Sequence, residues 1–404
     1  MFQIQLCKHE HCTGCMACKQ ICSQNAIGCI NIDGFTYPQI NTEKCVECGL
    51  CMKTCPVLNI SGCKGNTHEQ ETSCLAVYNK VDELRMKSSS GGSFSTMAEK
   101  ILSEGGIVYG AAWNNQMNLI HCCADNVHDL DKLRRSKYVQ SDTRNTYNEV
   151  RAYLKEGRKV LYSGTPCQIA GLHSFLLGKK YDNLILVDVL CQGVPSPWSF
   201  KKYIKEMEDK MNSKIVDCNF RTKEYGWRCG LLLLLRDKQS GKMKVKKLIN
   251  KSNSFYRAFI REYFMRPSCY DCPFKNNNQG YYGDITIADF WRIGNKTPFN
   301  EKNVEKGVSA LIINTEKGNS FFNACKSPFV VIERTWQEFS TNGGLRCSHK
   351  PKNNDEAFEY LKNHSWEETQ AKFFPVTFTE RVKVILKMLI TERMIRQIKK
   401  LFYR

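Results

Sequence analysis

Long apolar runs are missing from this 404-residue chain: the longest, Leu231–Leu235, is stopped by Arg236, far short of the roughly 20 residues a membrane-spanning helix needs. The opening residues MFQIQLCKHE lack the charged and then apolar layout of a secretory leader, so a cytoplasmic protein is expected. Acidic residues are in deficit, 40 against 59 Lys plus Arg, which leaves a net +19. An excess of that size raises nucleic acid and anionic membranes as partners. No dense basic and aromatic stretch accompanies it, so no nucleic-acid partner is expected. The charge is also uneven: residues 1–62 hold four Lys and four acidic residues, whereas 378–404 hold eight basic residues against two acidic ones. A chain that is 42% hydrophobic and 25% charged is folded, and long enough for two or three domains.

Cysteine is what the sequence has in excess, with 22. Without an export signal these are not a disulfide scaffold, because the cytosol keeps thiols reduced; they are metal ligands, catalytic thiols or buried apolar residues. An internal repeat at an offset of 33 residues decides for many of them: Cys12, Cys15, Cys18 and Cys22 recur as Cys45, Cys48, Cys51 and Cys55. Both runs read C-x-x-C-x-x-C-x-x-x-C, and Pro56 follows the second. Three thiolates on a tight loop reach three corners of a [4Fe-4S] cube, and the fourth cysteine of each run ligates the other cluster. The expected sets are therefore Cys12, Cys15 and Cys18 with Cys55, and Cys45, Cys48 and Cys51 with Cys22. Zinc, the competing reading, asks for two separated pairs per site and fits this spacing poorly. Ser23 stands where a Pro would follow Cys22, and Ala26-Ile27 is expected to supply a short helix beneath a cluster. Over residues 6–60 this part resembles the bacterial two-cluster ferredoxins.

Residues 61–73 are polar and glycine-bearing and read as a linker. From Cys74 onward, apolar runs at 107–112, 160–162, 184–190, 285–287 and 310–313 read as strands alternating with helical patterns, one of them Pro197–Lys210 with Ser196 as its N-cap. That is an α/β arrangement. Three elements in it look chemical. The run Ser88–Ser93 (Ser88, Ser89, Ser90, Gly91, Gly92, Ser93) precedes a helix expected from about Phe94 to Ser103, where backbone N–H groups suit a phosphate; a flexible turn is the plain alternative. Gly164, Thr165, Pro166, Cys167 and Gln168 sit at a strand end that opens a helix, the usual ligand position of an open α/β sheet, and a lowered thiol pKa is expected at Cys167. Cys191, again at a strand end, joins Cys167 and the pair Cys269 and Cys272 as four thiols, enough for one more cluster; from spacing alone, buried incidental thiols explain them as well. Tyr225, Gly226, Trp227 and Arg228 fit either a substrate cleft or a loop anchor.

The ordered set of the two cysteine runs, SSSGGSFS, RRSKYVQS (Arg134–Ser141), GTPCQIAGL (Gly164–Leu172), CQGVPSP (Cys191–Pro197), CYDCPF (Cys269–Phe274) and GDITIADFW (Gly283–Trp291) resembles the coenzyme F-420 hydrogenase/dehydrogenase β-subunit family over about residues 6–340. The resemblance implies FAD and a [4Fe-4S] cluster in the core, the cluster held by Cys167, Cys191, Cys269 and Cys272. It implies flavin contacts at Ser89, Ser90, Gly91, Gly92, Ser93, Lys137, Tyr138, Gln140, Gly164, Thr165, Pro166 and Gln168. The activity it implies is that of an iron-sulfur flavoprotein oxidoreductase that passes electrons between a ferredoxin-type one-electron carrier and a small organic or sugar-linked substrate, some fused forms being encountered with surface-polysaccharide genes. A non-catalytic relay subunit of a larger redox complex and a deazaflavin coenzyme oxidoreductase are the alternatives; no single catalytic acid or base is singled out.

The expected fold is an α+β ferredoxin-like module at 1–60, the linker at 61–73, an α/β core with a mixed sheet at 74–345, and a basic helical extension at 346–404. Its last part, Thr379–Arg404, places Val382, Leu386, Leu389, Ile390, Ile395, Ile398 and Phe402 near one helical face with Lys and Arg opposite. Packing on the core and peripheral contact with the inner face of a membrane are both compatible with that pattern.

Overall fold

The computed structural model describes residues 4–60, 74–223, 226–227, 230–249, 252–275, 281–295, 298–300 and 304–382. The expected linker at 61–73, Tyr225, Arg228 and the amphipathic segment beyond Val382 lie outside them.

The N-terminal part is a ferredoxin-like segment. Strands β1 (Ile27–Ile32) and β2 (Phe35–Ile40) pair antiparallel, with Ile27 opposite Ile40, and short helices Ala17–Ile21 and Leu50–Lys53 grow out of the two cysteine runs. Ala26-Ile27 is therefore not a helix: Ile27 opens β1, where a buried β-branched side chain gains a ladder partner that a two-residue helix would not give it. The repeat extends into the backbone. Gly14 and Met16 in the first run, and Glu47 and Gly49 at the equivalent places in the second, are all left-handed. Only glycine takes that conformation without strain, so Met16 and Glu47 hold it because the loop requires it.

The core is an α/β unit built on an eight-stranded mixed sheet. Its strands are β3 (Cys74–Asn79), β4 (Ile107–Trp113), β5 (Leu119–Ala124), β6 (Val160–Gly164), β7 (Leu184–Val189), β11 (Ile285–Asp289), β12 (Ser309–Ile313) and β13 (Phe329–Arg334), in the order β13-β3-β12-β11-β7-β6-β4-β5. The four central strands β11, β7, β6 and β4 are parallel and the outer pairs antiparallel. β6 is buried along its whole length and β4 nearly so, as strands covered on both faces must be, which is why they read as continuous apolar runs. Helix Pro166–Phe175 carries the chain from β6 to parallel β7.

A second sheet lies apart: β8 (Ser213–Thr222), β9 (Gly230–Asp237) and β10 (Met243–Ile249) in antiparallel order β10-β9-β8. Leu231, Leu233 and Leu235 point from β9 into an aromatic core with Phe200, Tyr203, Phe220 and Phe255. The exposed edge strand β10 carries Lys244, Lys246 and Lys247, charges that discourage pairing with another chain. Helices Asn354–Asn363 and Trp366–Phe373 close the same core through Leu361 and Trp366. No helix among the described residues is long and apolar enough to cross a membrane.

Candidate functional site: three groups of thiols and a cationic loop

The first group forms where the expected crossing of the runs would put it. One cavity is lined by Cys12, Cys15, Cys18 and Cys55, with Cys7, Thr13 and Val57 among its other walls. The thiols of Cys15 and Cys18 are pushed well up, first by burial and then by the neighbouring Cys12 and Cys55. Left-handed residues alternating along both loops are the backbone form of an anion nest, which turns N–H groups toward a bound cluster. Cys7, which the spacing does not flag, reaches the same cavity, and its thiol is pushed up by the neighbouring Cys55 and by burial. The second group gathers Cys45, Cys48 and Cys51, whose thiols act on one another. Cys22 and Cys51 share a small apolar cluster with Ile27, and the Cys22 Sγ accepts from the N–H of Ala26 at 3.3 Å. Cys48 is exposed, as are Val46 and Glu47, so this group faces outward.

The first run is instead wedged into the core. A Cβ added to Gly171, on the helix that carries Cys167, would stand 2.8 Å from the Cβ of Cys15 and 3.0 Å from its Sγ. Thr143 donates to the carbonyl of Cys15 (3.0 Å), Gln140 Nε2 to that of Thr13 (3.0 Å) and Asn148 Nδ2 to that of Gln20 (3.0 Å).

The third group stands behind this contact. β6 and β7 are parallel neighbours, so the loops leaving their carboxyl ends set Cys167 and Cys191 side by side. Residues 264–272 are laced to residues 192–196 by main-chain bonds: Arg266 N to Val194 O at 3.0 Å, Ser196 N to Phe264 O at 2.8 Å. That brings Cys269 and Cys272 to the same place. A lowered pKa at Cys167, expected from the helix N-terminus, is not what the site produces; burial outweighs the Thr165 hydroxyl at 3.2 Å and pushes the thiol up to about 11. Cys269 is pushed up to about 12, and Cys272 further still, by burial and by the other thiols of the group. Half-buried thiols crowded together in this way do not ionise together unless a cation lies among them, and a metal centre supplies it. Among the described residues no three His, Cys, Asp or Glu side chains stand close enough for a single-ion shell; a cube spreads its thiolate ligands more widely than one ion does.

The flavin contacts expected from the resemblance divide in two. Gln140 turns away from the loop at Ser89–Ser93: besides Thr13 it binds Arg266 Nη1 through Oε1 at 2.9 Å. Thr165 and Gln168 cap the helix at Cys167, where the N–H of Thr165 donates to Gln168 Oε1 (3.0 Å), and Gln168 Nε2 reaches Ser141 Oγ (3.0 Å). Around the serine loop stands a set of cations that the motif does not contain. Arg221, buried, is paired in fork fashion with Asp289 (2.6 and 3.0 Å) and donates to Tyr138 Oη (3.1 Å) and to the carbonyl of Ser89 (3.2 Å). Lys223 Nζ donates to the carbonyls of Ser90 (2.6 Å), Lys306 (2.7 Å) and Arg85. Burial, with Arg85 and Arg221 nearby, pushes its pKa down to about 6, whereas three carbonyl acceptors need the three N–H bonds of the charged form. Lys137 Nζ is turned onto the carbonyls of Leu133 and Arg134, and burial lowers it to about 8. Ser93, at the start of helix Ser93–Ser103, is buried with no partner for its Oγ, and no side chain caps that helix. An unmet hydroxyl at an uncapped helix start, with buried cations nearby, fits a phosphate of a flavin dinucleotide.

His121 joins the two halves. Its Nε2 lies 3.1 Å from the carbonyl of Ser163, which only accepts, so Nε2 carries the proton and Nδ1 accepts from Ser141 Oγ at 3.0 Å. Burial lowers its pKa to about 4. The folded state thus binds fewer protons than the unfolded one between the unfolded value near 6.5 and about 4, and stability falls with pH across that window. Between pH 7 and pH 5 the loss is expected to be about 2 kcal/mol from this residue. Urea midpoints at the two pH values check it: the drop is smaller by that amount in His121→Gln, and an equal drop in both proteins disproves the assignment.

Comparison with known proteins yields two family matches. Residues 157–335 match the family of the C-terminal part of the coenzyme F420 hydrogenase/dehydrogenase beta subunit, and residues 11–59 match the 4Fe-4S dicluster domain. No curated protein matches the chain at a significant level. Among solved structures, a chain of the F420-reducing [NiFe] hydrogenase complex from Methanosarcina barkeri is 18% identical, with 65% of this chain and 82% of that chain covered and a TM-score of 0.42.

Proposed function

Because the chain joins a 4Fe-4S dicluster domain to the C-terminal domain of coenzyme F420 hydrogenase/dehydrogenase β subunits, and is thus an iron-sulfur electron-transfer protein related to that oxidoreductase family, we propose that it is a three-cluster flavoprotein exchanging electrons between an external one-electron carrier and an organic substrate. The observation that carries this reading is the third thiol group. Cys167, Cys191, Cys269 and Cys272 converge at the carboxyl ends of two central parallel strands, where α/β sheets bind their ligands, directly behind the docked first run.

The chain's residues then have separable tasks. Cys45, Cys48, Cys51 and Cys22 would hold the outward-facing cluster that a ferredoxin or similar carrier approaches, and Cys12, Cys15, Cys18 and Cys55 the inner one. Cys167, Cys191, Cys269 and Cys272 would hold the core cluster. Bound FAD would supply the two-electron exchange with the substrate. The loop at Ser89–Ser93 would bind its phosphates at the start of helix Ser93–Ser103 and through the Ser93 hydroxyl, with Arg221 and Lys223 as counter-charges; the Gly91 N–H is already given to Ser309 Oγ at 2.9 Å. An anion at that place also resolves the conflict at Lys223, since it favours the ammonium form that the three carbonyls require.

Iron and flavin per chain, measured on protein purified without oxygen, test the reading. About twelve iron atoms with one FAD are expected for three cubes and a flavin site. About eight iron atoms without flavin would leave a relay with two clusters and overturn the core assignment.

A further inference from the structure

Arg266 is fully buried at 0% exposure, and among the described residues no carboxylate pairs with it. Its guanidinium is held instead by neutral groups. Nε donates to the carbonyl of Cys12 (2.6 Å), Nη2 to that of Thr36 (3.1 Å) and Nη1 to Gln140 Oε1 (2.9 Å). The plane lies 4.2 Å from the ring centre of Tyr37 and 5.3 Å from that of Phe35. Nη2 also stands 3.8 Å from the Sγ of Cys12. Gly14 leaves the space for this: a Cβ there would be 2.8 Å from Nη1, in a residue already left-handed.

Arg266 belongs equally to the core. It is the N-cap of the short helix Pro267–Tyr270, its carbonyl accepts from Cys269 N at 2.8 Å, and its charge reaches the Cys167 thiol. A buried cation costs several kcal/mol unless an opposite charge repays it. Carbonyls and rings soften that cost without removing it, and the acidic groups that its charge acts on among the described residues are the Tyr37 hydroxyl and cysteine sulfurs of two different groups.

We propose that Arg266 is the shared counter-ion of the inner ferredoxin-type cluster at Cys12, Cys15, Cys18 and Cys55 and of the core cluster at Cys167, Cys191, Cys269 and Cys272. This rests on the three-cluster reading above. Each added electron makes a cluster more negative, so a fixed cation between the two favours the reduced form of both and raises their reduction potentials together. Among the described residues, Arg266 has no hydrogen bond to Cys22, Cys45, Cys48 or Cys51, which would hold the outward cluster. Arg266 is in this sense a positioning and tuning residue of the relay. It also gives a reason for Gln140, which orients the guanidinium while tying Thr13 to the core.

The test is an EPR-monitored redox titration of anaerobically purified parent, Arg266→Gln and Arg266→Lys proteins, with iron counted in each. A Cys48→Ala background identifies the outward cluster's wave. In R266Q, two of the three potentials are expected to fall by at least tenfold in the reduction equilibrium, about 59 mV for a one-electron couple, with the outward wave unmoved. R266K keeps the charge and is expected to stay near the parent. Full iron with unmoved potentials in R266Q overturns the proposal, as does an equal shift in R266K, which would make packing the cause. Should R266Q fail to hold its iron, R266K decides alone: parent-like potentials support the counter-ion and a paired shift overturns it. Eight iron atoms in the parent would remove the core cluster itself, a failure of the underlying reading that is distinct from unmoved potentials in a twelve-iron protein.

Discussion

Protein carrying Cys269→Ser, purified without oxygen, is expected to hold about eight iron atoms where the parent holds about twelve, because a cube that loses one of its four thiolates is not retained. A serine hydroxyl at this position is not ionised at neutral pH and is a poor substitute ligand. The backbone at this position is fixed: Cys269 lies on the helix that Arg266 caps, and the Ser348 N–H donates to the Cys269 carbonyl at 3.2 Å. The two ferredoxin-type waves should remain in the titration, since neither contains this residue. Cys218→Ser is the matched control. Cys218 is buried in the aromatic core beneath the second sheet, so its loss perturbs packing and not ligation. Twelve iron atoms in C269S would mean that another thiol takes the fourth corner. Cys347, whose Sγ is 3.6 Å from the carbonyl of Cys272, is placed to do so, and C269S/C347S would then lose the four atoms. A double variant that still holds twelve would exclude Cys269 and Cys347 as ligands and overturn the four-thiol assignment.

What could be read in the sequence follows the range of the interactions involved. The two cysteine runs are local: the loop that presents three thiolates is written in seven residues, and the crossed fourth ligand follows from the repeat itself. The strands at 107–112, 160–162, 184–190, 285–287 and 310–313 were legible because both their faces are buried, and helix Pro197–Lys210 because Ser196 and Pro197 mark its start. The five leucines of Leu231–Leu235 have no period, and so gave no hint of a second sheet in which alternate residues face opposite sides. The core thiols were undecidable from spacing, since Cys191 and Cys269 meet only through the β6–β7 pairing and the lacing of residues 192–196 to residues 264–272. Arg266, Arg221 and Lys223 had no motif to announce them. Their significance is burial, and a lone Arg between Met265 and Pro267 shows none until the fold closes over it. Gln140 differs: it sits in the expected motif, and its amide binds Thr13 and Arg266, partners that no local pattern announces.

The second large effect is expected at Asp289, the last residue of β11, whose carboxylate holds Arg221 of β8 and so ties the second sheet to the first. In Asp289→Ala the guanidinium keeps Tyr138 Oη and the Ser89 carbonyl but loses its only anionic partner among the described residues while remaining 3% exposed. Removing one partner of a buried pair costs about 3–5 kcal/mol, because the survivor's charge is left uncompensated. Replacing both by apolar residues of similar volume, as in Arg221→Met with Asp289→Leu, removes the charge and is expected to recover most of that loss. Urea midpoints of the parent, D289A and the double variant separate the two cases. The same set speaks to the flavin reading. If the phosphates of FAD approach Arg221, added FAD supplies the missing negative charge and should raise the midpoint of D289A more than that of the double variant, which has no cation left to pair. Equal losses in D289A and the double variant would place the cost in the packing of Trp291, over which the guanidinium lies at 4.9 Å, and would take the counter-charge role away from Arg221.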